Sequence, residues 1–233
     1  MKNSLRAILF DFDGVLADTE PVHLAMFQKV LQDEKVPLTR EEYYEKYLGL
    51  DDRACFAQVF QDRGLVLGDE KKDALVRKKN TALLELIRDR SLIRPGVKEF
   101  IENLGGKFYT AVVSGALQSE ISAILKTGGI MEKLQVIVAA DGVSEGKPSP
   151  EGFLKGIRLL NRDFVQPAEI LLPQECLAIE DSPWGVEAAH RAGAKCLAIL
   201  SSYPEDRLKE ADMIVPDLSA VSWSALDGLF SSR

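Results

Sequence analysis

Asp11-Phe12-Asp13-Gly14 sets two carboxylates two residues apart, directly after the apolar run Ala7-Ile8-Leu9-Phe10, and Gly14 permits a sharp turn there. Glu180-Asp181 adds two more acids after Leu177-Ala178-Ile179. Gathered at one point, such carboxylates repel one another and resist burial, and a hard cation such as Mg2+, which prefers oxygen ligands, relieves that cost. Lys147, in Gly146-Lys147-Pro148, brings the opposite charge, and Ser114-Gly115 offers a hydroxyl and an unhindered backbone N–H at the start of a helix. Hydroxyl, N–H and ammonium together suit the oxygens of a phosphate group. Carboxylate, Mg2+ and phosphate cradle describe phosphoryl transfer through an aspartyl-phosphate, with the cation suppressing repulsion between two anions.

That chemistry needs a scaffold that brings positions 11, 114, 147 and 180–181 together. Thr110-Ala111-Val112-Val113, Val136-Ile137-Val138-Ala139 and Cys196-Leu197-Ala198-Ile199-Leu200 join the two runs above as short apolar segments of the kind that form strands buried on both faces. Helices alternate with them. Ser149 stands before Pro150 at a first helical position, Ser182 before Pro183 likewise, and Gly193 stops a helix after Ala192. Alternation of this kind predicts an α/β fold with a parallel sheet, and in such sheets ligands bind where the strand C-termini open. Asp11, Ser114 and Glu180-Asp181 are therefore expected to converge.

About ninety residues of helical pattern separate the first run from Thr110. Residues 20–33 place Phe27, Val30 and Leu31 on one face, Thr39 to Glu42 reads as a capping box, and residues 52–63 form a helix closed by Gly64. A longer helix runs from Asp69 to about Asp89, with Leu75, Leu83, Leu86 and Ile87 as its apolar stripe. The expected organisation is an α/β core of residues 1–17 and 91–233 with an all-helical insert at 18–90. No repeat or low-complexity segment interrupts it.

The remaining composition narrows the setting. Acidic residues outnumber basic ones 36 to 29 in 233 residues, which argues against a nucleic-acid or anionic-membrane surface. Cys55, Cys176 and Cys196 are odd in number, sit in apolar stretches and read as reduced core residues. The opening Met1-Lys2-Asn3 leads into a segment too short for a signal peptide, and no run approaches a membrane span, so a soluble cytoplasmic protein is expected. A monomer is expected for want of an interface stripe. Competing motifs fail: Gly142 to Lys147 has too few residues between its glycines for a P-loop and Pro148 where Ser or Thr belongs. Ser114 lacks the glycine two residues earlier that a nucleophile elbow requires, and His23 and His190 are too few for a histidine-rich zinc site.

Asp11-Phe12-Asp13-Gly14-Val15, Val113-Ser114-Gly115, Lys147-Pro148 and Glu180-Asp181-Ser182 resemble, in order and spacing, the four motifs of the haloacid dehalogenase superfamily. The likeness covers essentially the whole chain, and the helical cap inserted after the first motif resembles the subgroup of β-phosphoglucomutase and its sugar-phosphatase relatives. It implies a Rossmann-like core, Asp11 as nucleophile and Asp13 as general acid and base. It further implies Mg2+ held by Asp11, the backbone carbonyl of Asp13 and Asp181 with Glu180 assisting, and phosphate gripped by Ser114, Gly115 and Lys147. The carboxylate at Asp13 disfavours halide removal, because only an oxygen leaving group needs a proton. The implied activity is a phosphatase on a small phosphorylated metabolite, a sugar phosphate. Alternatives are a β-phosphoglucomutase-type mutase and a non-catalytic sugar-phosphate sensor.

Plainer readings stand beside these roles. Asp11 and Asp13 are residue types that form turns after strands, Lys147 outside its Gly-Lys-Pro motif would read as a surface lysine, and Trp184 reads as a packing residue or as one that lines the cleft. In the cap, Thr19-Glu20-Pro21-Val22-His23 resembles the mutase segment whose histidine faces the active site; the plain reading of His23 is a half-buried, hydrogen-bonded histidine on the face of Phe27. Lys79 lies on the apolar stripe four residues from Leu75 and Leu83, as a snorkelling side chain or as the counterpart of the mutases' substrate lysine. Arg53 stands near a helix N-terminus, where the dipole disfavours a cation, so it needs an anion: Asp51, Asp52 or a substrate phosphate. The mutases present such an arginine in a Gly-Val-Ser-Arg loop, whereas Gly49-Leu50-Asp51-Asp52-Arg53 puts two acids before it, which weighs against the mutase.

Overall fold

The computed structural model describes residues 4–88 and 90–231. The opening Met1-Lys2-Asn3 and the expected helix end at Asp89 lie outside the described residues. β1 (Ala7–Phe10) leads into α1 (Glu20–Asp33), α2 (Arg40–Glu42), α3 (Asp52–Asp62) and α4 (Asp69–Leu86). Next come α5 (Val97–Leu104), β2 (Tyr109–Val113), α6 (Gln118–Thr127), β3 (Val136–Val138) and α7 (Glu151–Asp163). β4 (Cys176–Glu180), α8 (Pro183–Ala192), β5 (Lys195–Ile199), α9 (Glu205–Leu208), β6 (Met213–Val215) and α10 (Trp223–Ser231) follow. The chain forms two compact units, Met1–Asp18 with Leu92–Arg233, and Thr19–Ser91.

The first unit is built on a sheet with the order β3-β2-β1-β4-β5-β6, and every neighbouring pair is parallel. All of β1 is buried, as its unbroken apolar run requires of a central strand. The strand order reverses between β1 and β4, the switch point at which α/β sheets bind ligands. Ladder bonds continue just beyond the strands: Asp11 N–H donates to the Ile179 carbonyl at 2.8 Å and Ser114 N–H to that of Val138 at 3.0 Å. These bonds bring polar residues from three strands to one edge.

On one face Leu9, Ala111 and Val113 pack with Phe153, Ile157 and Leu160 of α7 and with Val186 and Ala189 of α8. On the other, Phe10 meets Phe100 of α5 edge to face at 6.2 Å, and Phe100 stacks on Trp223 of α10 at 5.6 Å. Each such large apolar side chain contributes about 1.5–3 kcal/mol on burial, so the two covered faces anchor the strand ends that carry the acids. α8 starts as its sequence predicts, with Ser182 Oγ accepting the Gly185 N–H at 3.0 Å and Pro183 at the first position, and it ends at Gly193 with φ +85°. α7 starts one residue later than expected: Pro150 precedes the helix, and Glu151 opens it while accepting the N–H groups of Ser144 and Glu145 at 2.9 Å.

The second unit is helical, with no strand among its described residues. Phe27 of α1 packs against Phe56 of α3 at 4.9 Å, within a core that includes Leu31, Tyr43, Val59 and Leu75. The Thr39–Glu42 capping box is formed, with bonds of 3.1 and 3.2 Å, yet α2 is a single turn that passes into a π turn over Tyr43–Tyr47. α4 buries Leu75, Lys79 and Leu83, so its stripe includes a lysine.

Candidate active site

At the C-terminal edge of the sheet Lys147 joins two strands. Its Nζ hydrogen-bonds Asp11 Oδ1 and lies 2.6 Å from Glu180 Oε1, and the ammonium also sits over the Phe153 ring at 5.5 Å. The Lys147–Pro148 peptide is cis. Glu180 is fully enclosed: its Oε2 accepts the Ser182 hydroxyl at 3.1 Å and the Asp181 N–H at 3.2 Å. A Cβ at Gly185 would fall 1.9 Å from Glu180 Cδ, so only glycine lets the first turn of α8 close on this acid.

Asp181 is held on its other side. Ser201 Oγ donates to Asp181 Oδ2 at 2.9 Å, and the Ser202 hydroxyl also bonds this side chain. Gly14, at φ +75°, faces the same oxygen: a Cβ there would lie 1.8 Å from Oδ2. One carboxylate oxygen from each of Asp11, Glu180 and Asp181 lies within 4.8 Å of the others, and all three residues are buried.

The electrostatics follow from crowding. Burial pushes Asp11 well above the usual carboxylate range; Lys147 opposes that push, while Glu180, Asp181 and Asp13 add to it. Burial, and then Glu180, pushes Asp181 up to about 7 against the pull of Ser202, Ser201 and Lys147. Burial alone would lower Lys147, but Asp11 and Glu180 overcome it and hold the ammonium above its ordinary value. Three buried carboxylates thus face one ammonium. An all-oxygen donor set with this excess of negative charge fits a hard divalent cation, which would be held by Asp11 and Asp181 with Glu180 beside them.

Asp13 and Ser114 also meet: Ser114 Oγ donates to Asp13 Oδ2 at 3.2 Å and accepts the Ala116 N–H at 2.9 Å. Gly115 is exposed but does not open a helix, since α6 begins only at Gln118, and the loop between leaves the Gly115 N–H outside any helix terminus. The structure therefore brings Asp11, Asp13, Ser114, Lys147, Glu180 and Asp181 to one sheet edge. Ser201 and Ser202 were not anticipated, because adjacent serines after a strand carry no motif; only the pairing of β5 with β4, Ala198 beside Glu180, brings them near Asp181.

The candidates in the helical unit form their own network. Lys79 is fully buried rather than snorkelling, with Nζ 2.6 Å from Asp52 Oδ1, 2.7 Å from His23 Nδ1 and 4.6 Å from the Phe27 ring centre. Arg53 does not pair with Asp51 or Asp52. It reaches Asp73 and, at 3.6 Å, Asp69 on α4, while Asp51 caps its own helix by accepting the Ala54 N–H at 2.8 Å. The face of Arg53 on α3 turns toward the acidic start of α4, which the order of residues alone does not reveal.

The family model described as haloacid dehalogenase-like hydrolase matches residues 8–199. The Protein CbbY of Rhodobacter capsulatus is 28% identical over 97% of this chain and 99% of its own. A phosphorylated carbohydrates phosphatase of Thermotoga maritima is 29% identical over 81% of this chain and 82% of its own. Among solved structures, β-phosphoglucomutase of Clostridium difficile superposes with a TM-score of 0.84 at 21% identity, covering 97% of both chains, and shares the fold. A mutant CbbY of Rhodobacter sphaeroides in complex with xylulose-(1,5)bisphosphate gives a TM-score of 0.84 at 25% identity, covering 96% of this chain and 99% of that one. This chain belongs to the haloacid dehalogenase-like hydrolase family and is an enzyme of the phosphatase or phosphomutase type.

Proposed function

We propose that this chain is a Mg2+-dependent phosphatase that hydrolyses a small phosphorylated metabolite, a sugar phosphate, through an aspartyl-phosphate on Asp11. The observation that carries this reading is Lys147 held between Asp11 and Glu180, with Asp181 completing the acid cluster at the switch point of the sheet. We assign catalysis to residues 1–17 and 91–233 and substrate selection to residues 18–90. The buried, unbridged cysteines and the family's action on small molecules support a cytoplasmic setting. No helix among the described residues is long and apolar enough to cross a membrane.

Asp11 attacks phosphorus in line, and the bond to the leaving alcohol breaks as the Asp11–phosphorus bond forms. Asp13 gives its proton to the departing oxygen, then takes one from the water that cleaves the aspartyl-phosphate and releases inorganic phosphate. Ser114, Gly115 and Lys147 hold the phosphate oxygens during both steps. When bound at Asp11, the Asp13 carbonyl and Asp181, with Glu180 assisting, Mg2+ supplies the positive charge that keeps Asp11 ionised and screens it from the incoming phosphate.

Hydrolysis is favoured over the mutase reaction by the helical unit. Lys79 is matched by Asp52 and Arg53 by Asp69 and Asp73, so both cations that the mutase reading assigns to substrate are engaged by carboxylates. The sensor alternative lacks its expected mark, loss of Asp11, Asp13 or Lys147. Phosphorus NMR with Mg2+ and a panel containing glucose 6-phosphate, xylulose 1,5-bisphosphate, and β-glucose 1-phosphate with glucose 1,6-bisphosphate tests the reading. Inorganic phosphate accumulates with wild type and not with Asp11→Asn; isomerisation of glucose 1-phosphate without phosphate release would establish the mutase instead.

A further inference from the structure

We propose that Ser201 and Ser202 are positioning residues that orient Asp181 toward the divalent cation, an inference that rests on the metal reading given under Proposed function. β5 ends at Ile199, and its register beside β4 brings the segment that follows level with Asp181. Ser201 Oγ donates to Asp181 Oδ2 at 2.9 Å, and Ser202 bonds the same side chain. A Cβ on Gly14 would lie 1.8 Å from that oxygen and 2.9 Å from Ser202 Oγ, so the turn after β1 closes on both the Asp181 carboxylate and the Ser202 hydroxyl.

A carboxylate on a single flexible bond samples many rotations, and each that points away from Asp11 and Glu180 weakens a site built from all three. Anchoring Oδ2 fixes the rotation before a cation arrives. Hydroxyls suit this task better than a lysine or arginine, because they orient the acid without cancelling the charge that attracts the metal. Both serines are half-buried, which shields their bonds from competing water. Partners of this outer kind are worth about 10–100-fold in metal affinity.

The test is calorimetric titration of the purified full chain with MgCl2 alone, together with the Mg2+-dependent rise in melting temperature, both without substrate. Ser201→Ala combined with Ser202→Ala is expected to weaken Mg2+ binding by about 10–100-fold and to shrink the melting-temperature rise, while the Thr replacements at both positions retain wild-type affinity. Ser201→Ala alone, expected to show the larger part of the effect, keeps the test decisive should the double variant fold poorly. A variant that melts lower without Mg2+ but binds it as tightly as wild type overturns the proposal, since the serines then serve only stability. Wild-type protein that binds no Mg2+ overturns instead the metal reading beneath it, a result distinct from equal binding by wild type and variant.

Discussion

Lys147 hydrogen-bonds Asp11 across 136 residues of sequence, and the same ammonium lies 2.6 Å from Glu180. It is the countercharge on which two buried acids depend. Lys147→Met leaves both unpaired, and removing one partner of a buried pair costs about 3–5 kcal/mol. Urea unfolding without Mg2+ is expected to show that loss, and saturating Mg2+ to recover part of it. Turnover falls about a hundredfold or more, because the phosphate loses its ammonium. Unfolding and turnover equal to wild type would contradict this account of Lys147.

Gly14 carries two demands at once, a left-handed backbone and empty space against Asp181. Gly14→Ala is expected to destabilise the fold by about 1–2 kcal/mol through its positive φ and to weaken Mg2+ binding about tenfold by displacing Asp181. Gly106 separates the two effects: it has φ +73° but nothing within 4 Å of an added Cβ. Gly106→Ala should therefore lower the melting temperature and leave Mg2+ titrations unchanged.

The Lys79–Asp52 pair makes an asymmetric prediction. Asp52→Ala leaves the fully buried ammonium with His23 and the Phe27 ring but without the Asp52 countercharge, and is expected to cost about 3–5 kcal/mol in chemical denaturation. Lys79→Met, which replaces the cation by an apolar chain of similar length over the Phe27 ring, costs less, because Asp52 keeps access to water. Equal losses from the two variants would show that the pair is not the reason a lysine occupies this stripe.

Acid stability reports on Asp212. Burial alone would raise this carboxyl, but Lys195 at 2.6 Å, the Cys196 N–H at 2.8 Å and His190 at 2.9 Å outweigh it and hold the group below the usual carboxylate range. A folded-state value below the unfolded one means that the contribution is present above the unfolded pKa of about 3.9 and is lost as pH falls through the lower folded value. Melting temperatures of Asp212→Asn and wild type are expected to differ at neutral pH and to approach each other below about pH 4. A gap that stays constant with pH would contradict the role of the charge.

Much of this was legible in the residues. β1 and α1 fall where their patterns predict, and Ser182, Pro183 and Gly193 bound α8 because cap chemistry is local. Convergence of Asp11, Ser114 and Glu180-Asp181 follows from the common direction of parallel strands. β6 was not legible: three half-buried residues at a sheet edge leave no periodicity to read. The partners of Lys79 and Arg53 were not legible either, since which acid meets which cation depends on how α1, α3 and α4 pack. The Ser201–Asp181 bond joins the segments that follow the neighbouring strands β5 and β4 and exists only through the register of those strands.

Asp11, on the proposed mechanism, carries the phosphoryl group between attack and hydrolysis. Wild-type protein mixed with Mg2+ and a hydrolysed sugar phosphate, acid-quenched within one turnover and digested, should yield a phosphate adduct on the peptide containing Asp11, decaying as inorganic phosphate appears. Asp11→Asn should give neither adduct nor phosphate while unfolding as cooperatively as wild type. Phosphate release by a folded Asp11→Asn protein at a rate comparable to wild type would contradict the account.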